Sequence, residues 1–358
     1  MKILKKIIVE ITVGVLIIFT TANFTQVSTL ANPNTDLNNK RIANVAVIIH
    51  RLYDPYMMEL RKGLESIEQD KNNNVKFTFF DAKNNIAVQN EIIDSALRSN
   101  YDLLILNLAQ KNENIVEDII NRVKQKNIPV IFLNIPPETV SQVSGIYNKA
   151  AFVIPDSKTA GIEEGKILFN LWNTNKAILD KNNDNILQYV LLQGEAGDPQ
   201  AIDRTKYAQS IITDSGIKTQ QLALVNDNWI RDLAKDSMNG LFLNYNGRIE
   251  AIIANNDAMA LGAIDALQKY GYNKGDKLKN IAVVGIDALP EAKDLIDKGF
   301  MTGTVVQDSN VLAKMLYSIG MNLINNLAPT ENTNYNTSKG EIIIPYNYQP
   351  YTNKANPF

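Results

Sequence analysis

Short runs of consecutive apolar residues alternate with amphipathic stretches along most of the chain, beginning at Ala43. A run that is apolar at every position predicts a strand buried on both faces, and the stretches between the runs carry the apolar spacing of helices. The predicted strands are Val45–Ile49, Phe77–Phe80, Leu103–Leu106, Val130–Leu133, Phe152–Ile154, Tyr189–Leu192, Ala251–Ala254 and Ile281–Ile286. The predicted helices include Met57–Gln69, Asn90–Arg98, Ile115–Gln125 and Lys158–Trp172. This alternation indicates parallel sheets with helices on both faces.

The length of the chain adds a second domain to that picture. Its 358 residues exceed the roughly 250–300 residues at which a single hydrophobic core stops growing. The fold class that we expect is therefore α/β, with two doubly wound parallel-sheet lobes.

The N-terminal segment has the pattern of an export signal. Lys2, Lys5 and Lys6 precede an apolar stretch that runs from Ile11 to about Ala22. That stretch is close to the length of a signal-peptide core and shorter than the roughly 20 residues that cross a bilayer comfortably. A cleavage site of small residues ends at position 31, so residues 1–31 are predicted to be a signal peptide or an N-terminal membrane anchor, and residues 32–41 a polar linker. We expect an exported protein, periplasmic or extracellular.

Composition and charge exclude several classes of protein. The chain has no cysteine, which rules out disulfides, thiolate metal sites and cysteine nucleophiles. Its one histidine, His50, leaves no basis for a multi-histidine zinc site. The net charge of −2, with no basic cluster beyond the first residues, argues against nucleic acid. No catalytic pair is visible either, so we expect a binding protein and not an enzyme.

Polar side chains follow nearly every predicted strand. In open α/β sheets, ligands bind beyond the carboxyl ends of the strands. Asparagine and aspartate at such positions also form turns and helix caps. For any single strand-end residue of these types, that is the alternative explanation. An arginine among them, and amides on both halves of the chain, favour a ligand made of hydroxyl groups. Tyr56 and Trp229 could supply the flat apolar surfaces that a sugar needs. The strand-end candidates are Asp54, Asn107, Asp198, Gln200, Arg204, Asn256, Asp287 and Gln307.

One polar loop has the spacing of a calcium site. The nine residues that begin at Asp180 place side-chain oxygens at positions 1, 3, 5 and 9, as in the first part of an EF-hand loop, and the carbonyl of Ile186 stands at position 7. Asn185, at position 6, tolerates the left-handed backbone that the turn needs. Leu191 at position 12 cannot be the bidentate carboxylate, so another acidic ligand would have to come from elsewhere. A solvated turn rich in asparagine and aspartate is the alternative. The ligands within the loop would be Asp180, Asn182, Asp184, Ile186 and Gln188.

Taken together, these segments resemble the bacterial galactose/glucose-binding proteins, which are periplasmic binding proteins of type I. The resemblance covers roughly residues 43 to 346. The segments that carry it are Tyr53-Asp54-Pro55-Tyr56, Leu106-Asn107-Leu108, Asp156-Ser157-Lys158, Asp180–Gln188, Val190–Glu195, Ile253–Ala260 and Gly285–Ala292. It implies a monosaccharide held by polar residues of both lobes and stacked between Tyr56 and Trp229. It also implies a structural Ca²⁺ whose remote carboxylate is Glu250.

The chain departs from the family pattern at the strand-end positions Asp198, Gln200 and Gln307. The family has histidine, aspartate and asparagine there. Because an ionised Asp198 cannot donate a hydrogen bond, a sugar oxygen that needs a donor loses it. In the alternative, Asp198 pairs with Arg204 and draws its guanidinium away from the sugar. Either effect would weaken hexose binding or favour a ligand that differs at C1 or C6, and a pentose is one alternative.

The resemblance also implies an architecture and partners. We expect three hinge crossings, near Ile128–Phe132, Val305–Asp308 and Ile342–Ile344. The lobes would then be residues 42–130 with 308–342, and 131–306 with 343–358. A monomer would close around the sugar and deliver it to the permease of an ABC importer. In the alternative, a membrane-anchored sensor signals to a histidine kinase or a chemoreceptor.

Overall fold

The computed structural model describes residues 41–70, 74–245 and 247–353. The predicted export signal, and all of the linker except Arg41, lie outside the described residues. Within the described ranges, no helix is both long and apolar enough to cross a bilayer.

Thirteen strands and ten helices alternate along the described chain. The strands are β1 Ala43–Ile49, β2 Val75–Asp81, β3 Leu103–Asn107, β4 Val130–Leu133, β5 Ala150–Ile154, β6 Leu187–Gln193, β7 Thr219–Asn226, β8 Ala251–Ala254, β9 Ala282–Asp287, β10 Gly303–Val306, β11 Thr337–Ser338, β12 Glu341–Ile343 and β13 Pro350–Thr352. The helices are α1 Pro55–Gln69, α2 Ile86–Arg98, α3 Glu113–Gln125, α4 Pro137–Val143, α5 Ser157–Leu179, α6 Pro199–Thr213, α7 Arg231–Tyr245, α8 Asp257–Lys269, α9 Pro290–Asp297 and α10 Ser309–Ile324.

The strands form two separate sheets, and each sheet is the centre of one lobe. The first has the order β11-β12-β5-β4-β3-β1-β2, and the second has the order β13-β10-β9-β8-β6-β7. Except for the pairs β11–β12 and β10–β13, the strands run parallel. The predicted class, two doubly wound α/β lobes, is confirmed.

Each sheet has a hydrophobic core on both faces. In β1, Val45 and Val47 pack towards α1 and α10, whereas Ala46 and Ile48 pack towards α2 and α3. In the second sheet, the residues of β8 alternate between two cores in the same way. Because both faces are covered, the inner strands are apolar throughout, and this is why the sequence pattern revealed them.

Two of the predicted lobe boundaries are wrong. The crossing predicted near Ile128–Phe132 falls inside the first sheet, because β4 pairs with β3 and β5 pairs with β4. The chain therefore leaves the first lobe only after β5. The third crossing lies later than predicted, since Ile344 belongs to the first core and β13 pairs with β10. A hinge strand and a core strand are equally apolar, so the sequence alone could not separate them. Between β10 and α10 the chain returns to the first lobe, where α10 packs on α1.

Helices α5 and α6 meet closely in the second lobe because two glycines face the contact. A Cβ atom on Gly161 would lie 2.6 Å from the carbonyl oxygen of Arg204, and one on Gly165 would lie 2.5 Å from that of Ala208. Both distances are too short for a side chain. The absence of these Cβ atoms sets how deeply α6, and Arg204 with it, sits in the lobe.

Two glycine-to-alanine changes in helices should therefore have opposite effects. Gly165→Ala should lower the free energy of unfolding by about 1–3 kcal/mol, because the added methyl overpacks the contact. Gly240→Ala, on an exposed face of α7 with nothing within 4 Å of the added atom, should raise it by up to about 1 kcal/mol through helix propensity. Urea denaturation of both variants measures this, and a stable Gly165→Ala variant would contradict the packing argument.

Candidate functional site

The carboxyl ends of both sheets face one cavity of about 70 Å³ between the lobes. One water molecule needs roughly 10–15 Å³ of such space, so the cavity has room for about five to seven waters. That volume suits a small polar molecule. All ten residues that the sequence predicted for ligand binding line the cavity: Asp54, Tyr56, Asn107, Asp198, Gln200, Arg204, Trp229, Asn256, Asp287 and Gln307.

Three of these residues also cap helices. Asp54 Oδ1 accepts hydrogen bonds from the backbone N–H groups of residues 56 and 57, at 3.0 and 3.2 Å, at the start of α1. Asp198 Oδ1 accepts from the N–H of Gln200 at 2.8 Å, and Asn256 Oδ1 accepts from the N–H of Met259 at 3.0 Å. Capping and ligand binding are therefore compatible. The cap uses one atom of each side chain and leaves the two carboxylates a second oxygen, whereas Nδ2 of Asn256 makes a long contact of 3.4 Å with the carbonyl oxygen of Trp229.

Arg204 is the buried cation of the site, with 1% of its surface exposed. Its Nη1 donates to the carbonyl oxygen of Asn255 and its Nη2 to Oε1 of Gln307, both at 2.7 Å. The alternative in which Asp198 pairs with Arg204 is wrong, because Asp198 Oδ2 lies 3.5 Å from Nζ of Lys111 instead.

The two aromatic residues differ in their surroundings. The ring of Trp229 lies directly against Gly194, where any side chain would collide with it. Its backbone is left-handed, with φ of 66°, a conformation that costs energy in a tryptophan. Tyr56 is buried, and its hydroxyl is 2.5 Å from the hydroxyl of Tyr346. Tyr56 thus supplies its ring to the cavity wall while its polar end is held by the first-lobe segment after β12.

The further lining residues that the sequence analysis missed include His50, Arg51, Lys111, Glu195 and Tyr346. Four of them follow predicted strands closely, and that position is the signal that could have found them. Tyr346 follows β12, a strand that the apolar pattern did not predict.

Arg51 joins the lobes at the edge of the cavity. Its Nη1 donates to the carbonyl oxygen of Asn228 at 2.7 Å, and its Nη2 lies 3.4 Å from Oε1 of Glu195. Together with the pair between Lys111 and Asp198, this contact spans the cleft.

His50 is neutral at ordinary pH. Burial lowers its pKa to about 4, and the charges of Lys111 and Arg51 contribute. Its Nδ1 is hydrogen-bonded to Oδ1 of Asn107. Because that oxygen can only accept, Nδ1 carries the proton. Asn107 is left with its amide N–H groups as donors towards the cavity.

The second lobe also buries carboxyl groups next to Arg204. Burial raises the pKa of Asp287 well above its ordinary value, Arg204 opposes the rise, and Asp257 adds to it. Asp287 has a φ of 129°, a strained conformation for this residue type. Glu164, on α5, is fully buried, and neither of its carboxylate oxygens has a hydrogen-bond partner in the described ranges.

The predicted calcium loop has the expected turn and the expected remote carboxylate. Asn185 has a left-handed backbone, with φ of 63°. Glu250 accepts hydrogen bonds from the N–H of Lys181 at 2.9 Å and from that of Gln188 at 3.0 Å. Lys176 Nζ lies 3.2 Å from Oδ2 of Asp180.

The donor set of this loop, carboxylates and amide oxygens, fits Ca²⁺ in kind. The oxygen atoms of the loop, however, already accept hydrogen bonds from N–H groups of the protein. In the part of the chain that the structure describes, no group of three or more acidic, histidine or cysteine side chains is arranged to hold a metal. Calcium binding therefore stays a prediction.

Comparison with known proteins places the chain among solute-binding proteins. Residues 45–328 match a family model described as a periplasmic binding protein domain. Over 303 residues the chain is 34% identical to the D-galactose/methyl-galactoside binding periplasmic protein MglB of Haemophilus influenzae, covering 84% of this chain and 88% of that protein. It is 26% identical over 271 residues to the D-allose-binding periplasmic protein of Escherichia coli, covering 74% and 79%. An ABC transporter solute binding protein from Bacillus halodurans C-125, solved with bound myo-inositol, has a TM-score of 0.66 and 24% identity, covering 88% and 96%. That likeness shows the fold.

Glu164 should make the stability of the protein depend on pH. Burial raises its pKa well above the ordinary 4.5, so the folded protein keeps a proton that the unfolded chain has lost. The stabilisation that this bound proton gives the folded state is complete below about pH 4.5 and is lost as the pH rises through the folded-state pKa. As the pH rises above about 5, the melting temperature of the wild type should therefore fall relative to that of Glu164→Gln. Glu163→Gln, which alters a partly exposed carboxylate on the same helix, is the matched control. Parallel curves for the wild type and Glu164→Gln would show that Glu164 is not buried as a neutral acid.

Proposed function

Because this chain belongs to the family of periplasmic binding proteins, we propose that it is an extracytoplasmic receptor for a monosaccharide, of the kind that serves ABC importers. The observation that carries the proposal is the convergence on one small cavity of carboxylates, amides, a buried arginine and two aromatic rings from both lobes. Carboxylates accept hydrogen bonds from sugar hydroxyls, amides do both, and Arg204 donates. The rings of Tyr56 and Trp229 pack against the C–H faces of the sugar.

The ligand that we propose is an aldopyranose like D-glucose or D-galactose. The identity of 34% with the galactose-binding relative supports this choice. Relatives at 26% identity and below are named for xylitol, D-allose and ribose. Asp198 and Gln200 line the cavity and differ from the residues of the family pattern at these positions. A pentose or another monosaccharide is therefore the alternative ligand.

Ligand binding would favour the closed arrangement of the lobes. A sugar that hydrogen-bonds to Asp54 and Asn107 in the first lobe and to Asp287 in the second holds the two lobes together. Such a ligand shifts the open–closed equilibrium by the difference between its affinities for the two states. The closed surface would then be what the permease recognises.

Calorimetry with a panel of hexoses and pentoses tests the proposal. At least one sugar should bind and raise the melting temperature, and tryptophan fluorescence should report binding. The chain has two tryptophans, so the signal should survive Trp172→Phe, a buried residue of α5 that does not line the cavity, and disappear in Trp229→Phe. Asp287→Ala should cost at least about 2 kcal/mol of binding free energy, because it leaves sugar hydroxyls unpaired in a closed cleft. No heat and no thermal shift with any sugar would overturn the proposal.

We also propose that the loop beginning at Asp180 binds one structural Ca²⁺, with Glu250 as its remote carboxylate. The spacing of the loop, the left-handed Asn185 and the position of Glu250 support this. The loop lies at the start of β6, the end opposite to the cavity, so the ion would stabilise the second lobe without touching the sugar. Its carboxylates would repel one another less with a divalent cation between them.

A chelator should therefore lower the melting temperature, and added Ca²⁺ should restore it while Mg²⁺ restores less. Glu250→Gln should melt earlier and should respond less to either treatment. Identical melting of the wild type with and without chelator would contradict the site.

A further inference from the structure

We propose that Lys111 is a specificity-determining residue, and that with Asp198 it forms a donor–acceptor pair across the cleft that binds oxygens of the ligand. This inference rests on the proposed function and deepens it. It concerns the part of the cavity wall at which Asp198 replaces the neutral donor of the family pattern.

The two residues come from different lobes. Lys111 lies in the loop after β3, four residues beyond Asn107, whereas Asp198 is the cap of α6. Nζ of Lys111 is 3.5 Å from Oδ2 of Asp198, with 17% and 12% of their side-chain surfaces exposed. Both residues line the cavity. The pair therefore exists only when the lobes are close together, and it stands in the wall that a ligand would touch.

The separation leaves both groups able to bind something else. Charge-assisted hydrogen bonds of this type are typically about 2.7–2.9 Å long, so 3.5 Å is a loose contact. An ammonium group has three N–H donors. The contact with Asp198 is the one ion pair that Nζ of Lys111 makes among the described residues. A largely buried ammonium needs hydrogen-bond acceptors, and ligand oxygens in the cavity would supply them.

The arginine beside this wall is largely committed to the protein. Arg204 gives Nη1 and Nη2 to the protein. Asp198 uses Oδ1 for the N–H of Gln200 and, when ionised, has no proton to donate. Lys111 therefore restores the donor that the change to Asp198 removes, and Asp198 Oδ2 remains an acceptor beside it. A ligand that fits this wall has one oxygen that accepts from the ammonium and a neighbouring hydroxyl that donates to the carboxylate.

The charge of Lys111 affects the pKa of another residue that lines the cavity. After burial, it is the largest cause of the lowered pKa of His50. The ammonium thus acts on the wall formed by His50 and Asn107 as well as on Asp198. A sugar in which that oxygen is missing would leave the ammonium with only its loose contact to Asp198 Oδ2, which costs more than the loss of a hydrogen bond to a neutral group.

A purely structural role for the pair is the competing explanation, and a second ion pair provides the comparison. Arg51 and Glu195 also span the cleft at 3.4 Å. If both pairs only hold the lobes together, Lys111→Met and Glu195→Gln should weaken every sugar by a common factor.

The experiment measures dissociation constants of the wild type, Lys111→Met, Asp198→Asn, Glu195→Gln and Lys62→Met for the best-binding sugar of the panel and for its 1-deoxy and 6-deoxy analogues. Circular dichroism first establishes that each variant is folded. Lys111→Met should weaken binding of the parent sugar about tenfold or more. It should weaken one deoxy analogue much less, so that the preference for the parent collapses, whereas Lys62→Met, at an exposed lysine that does not line the cavity, should leave every affinity unchanged.

Two results would overturn the inference. Equal weakening of the parent and both analogues by Lys111→Met would show that Lys111 acts only on lobe closure. Unchanged affinity in Lys111→Met, with sugars still bound tightly by the wild type, would remove Lys111 from the site and leave the proposed function standing. A wild type that binds no sugar would overturn the proposed function, and this inference with it.

Discussion

The cavity depends on one constraint, which is that the first N–H groups of each helix after a parallel strand need acceptors. At α1, α6 and α8 the acceptors are oxygens of Asp54, Asp198 and Asn256. Each cap costs the side chain its rotational freedom. The same restriction fixes the rest of the group at the carboxyl edge of its sheet. A ligand would therefore meet groups that are already ordered, so less conformational entropy is lost on binding.

The charge balance of the second lobe follows from the burial of Arg204. Its guanidinium is held by a backbone carbonyl and by Gln307, both neutral acceptors. Carboxyl groups nearby pay a desolvation cost, which raises the pKa of Asp257, Asp287 and Glu164. One buried cation cannot compensate three carboxylates, so part of this cluster holds protons. A neutral ligand fits such surroundings because it brings no further charge into the lobe.

Closure joins groups that lie far apart in the sequence. Arg51 and Lys111 come from the first lobe, and their carboxylate partners follow β6 in the second. Such pairs are partly exposed, and their individual contribution to the closed state is small. They orient the lobes, while a bound ligand would supply the larger part of the energy that holds them. The strained backbones of Trp229 and Asp287 are maintained by the packing around them, including the contact of the Trp229 ring with Gly194.

The apolar runs predicted the fold class and eight strands, because inner parallel strands are buried on both faces. β7 was missed, since its edge position leaves Gln220, Gln221 and Asn226 exposed and interrupts the apolar run. The polar residues after the strands, with the resemblance to a known family, predicted the ten residues that now line the cavity. Local sequence and strand order are sufficient for this, because carboxyl ends of parallel strands meet at one edge.

The sequence by itself determined which residues stand at the strand ends and which kinds of groups they bring. Only the tertiary structure decided where the chain changes lobes and which charged groups become partners. β4 could be a hinge or a core strand until its neighbours were known, because both are equally apolar. Asp198 turned to Lys111 and not to Arg204, because the pairing depends on the approach of two lobes and on the direction in which α6 points each side chain. The distances between these charged groups are set by packing between segments that are remote in the chain. They therefore cannot be predicted from the local sequence.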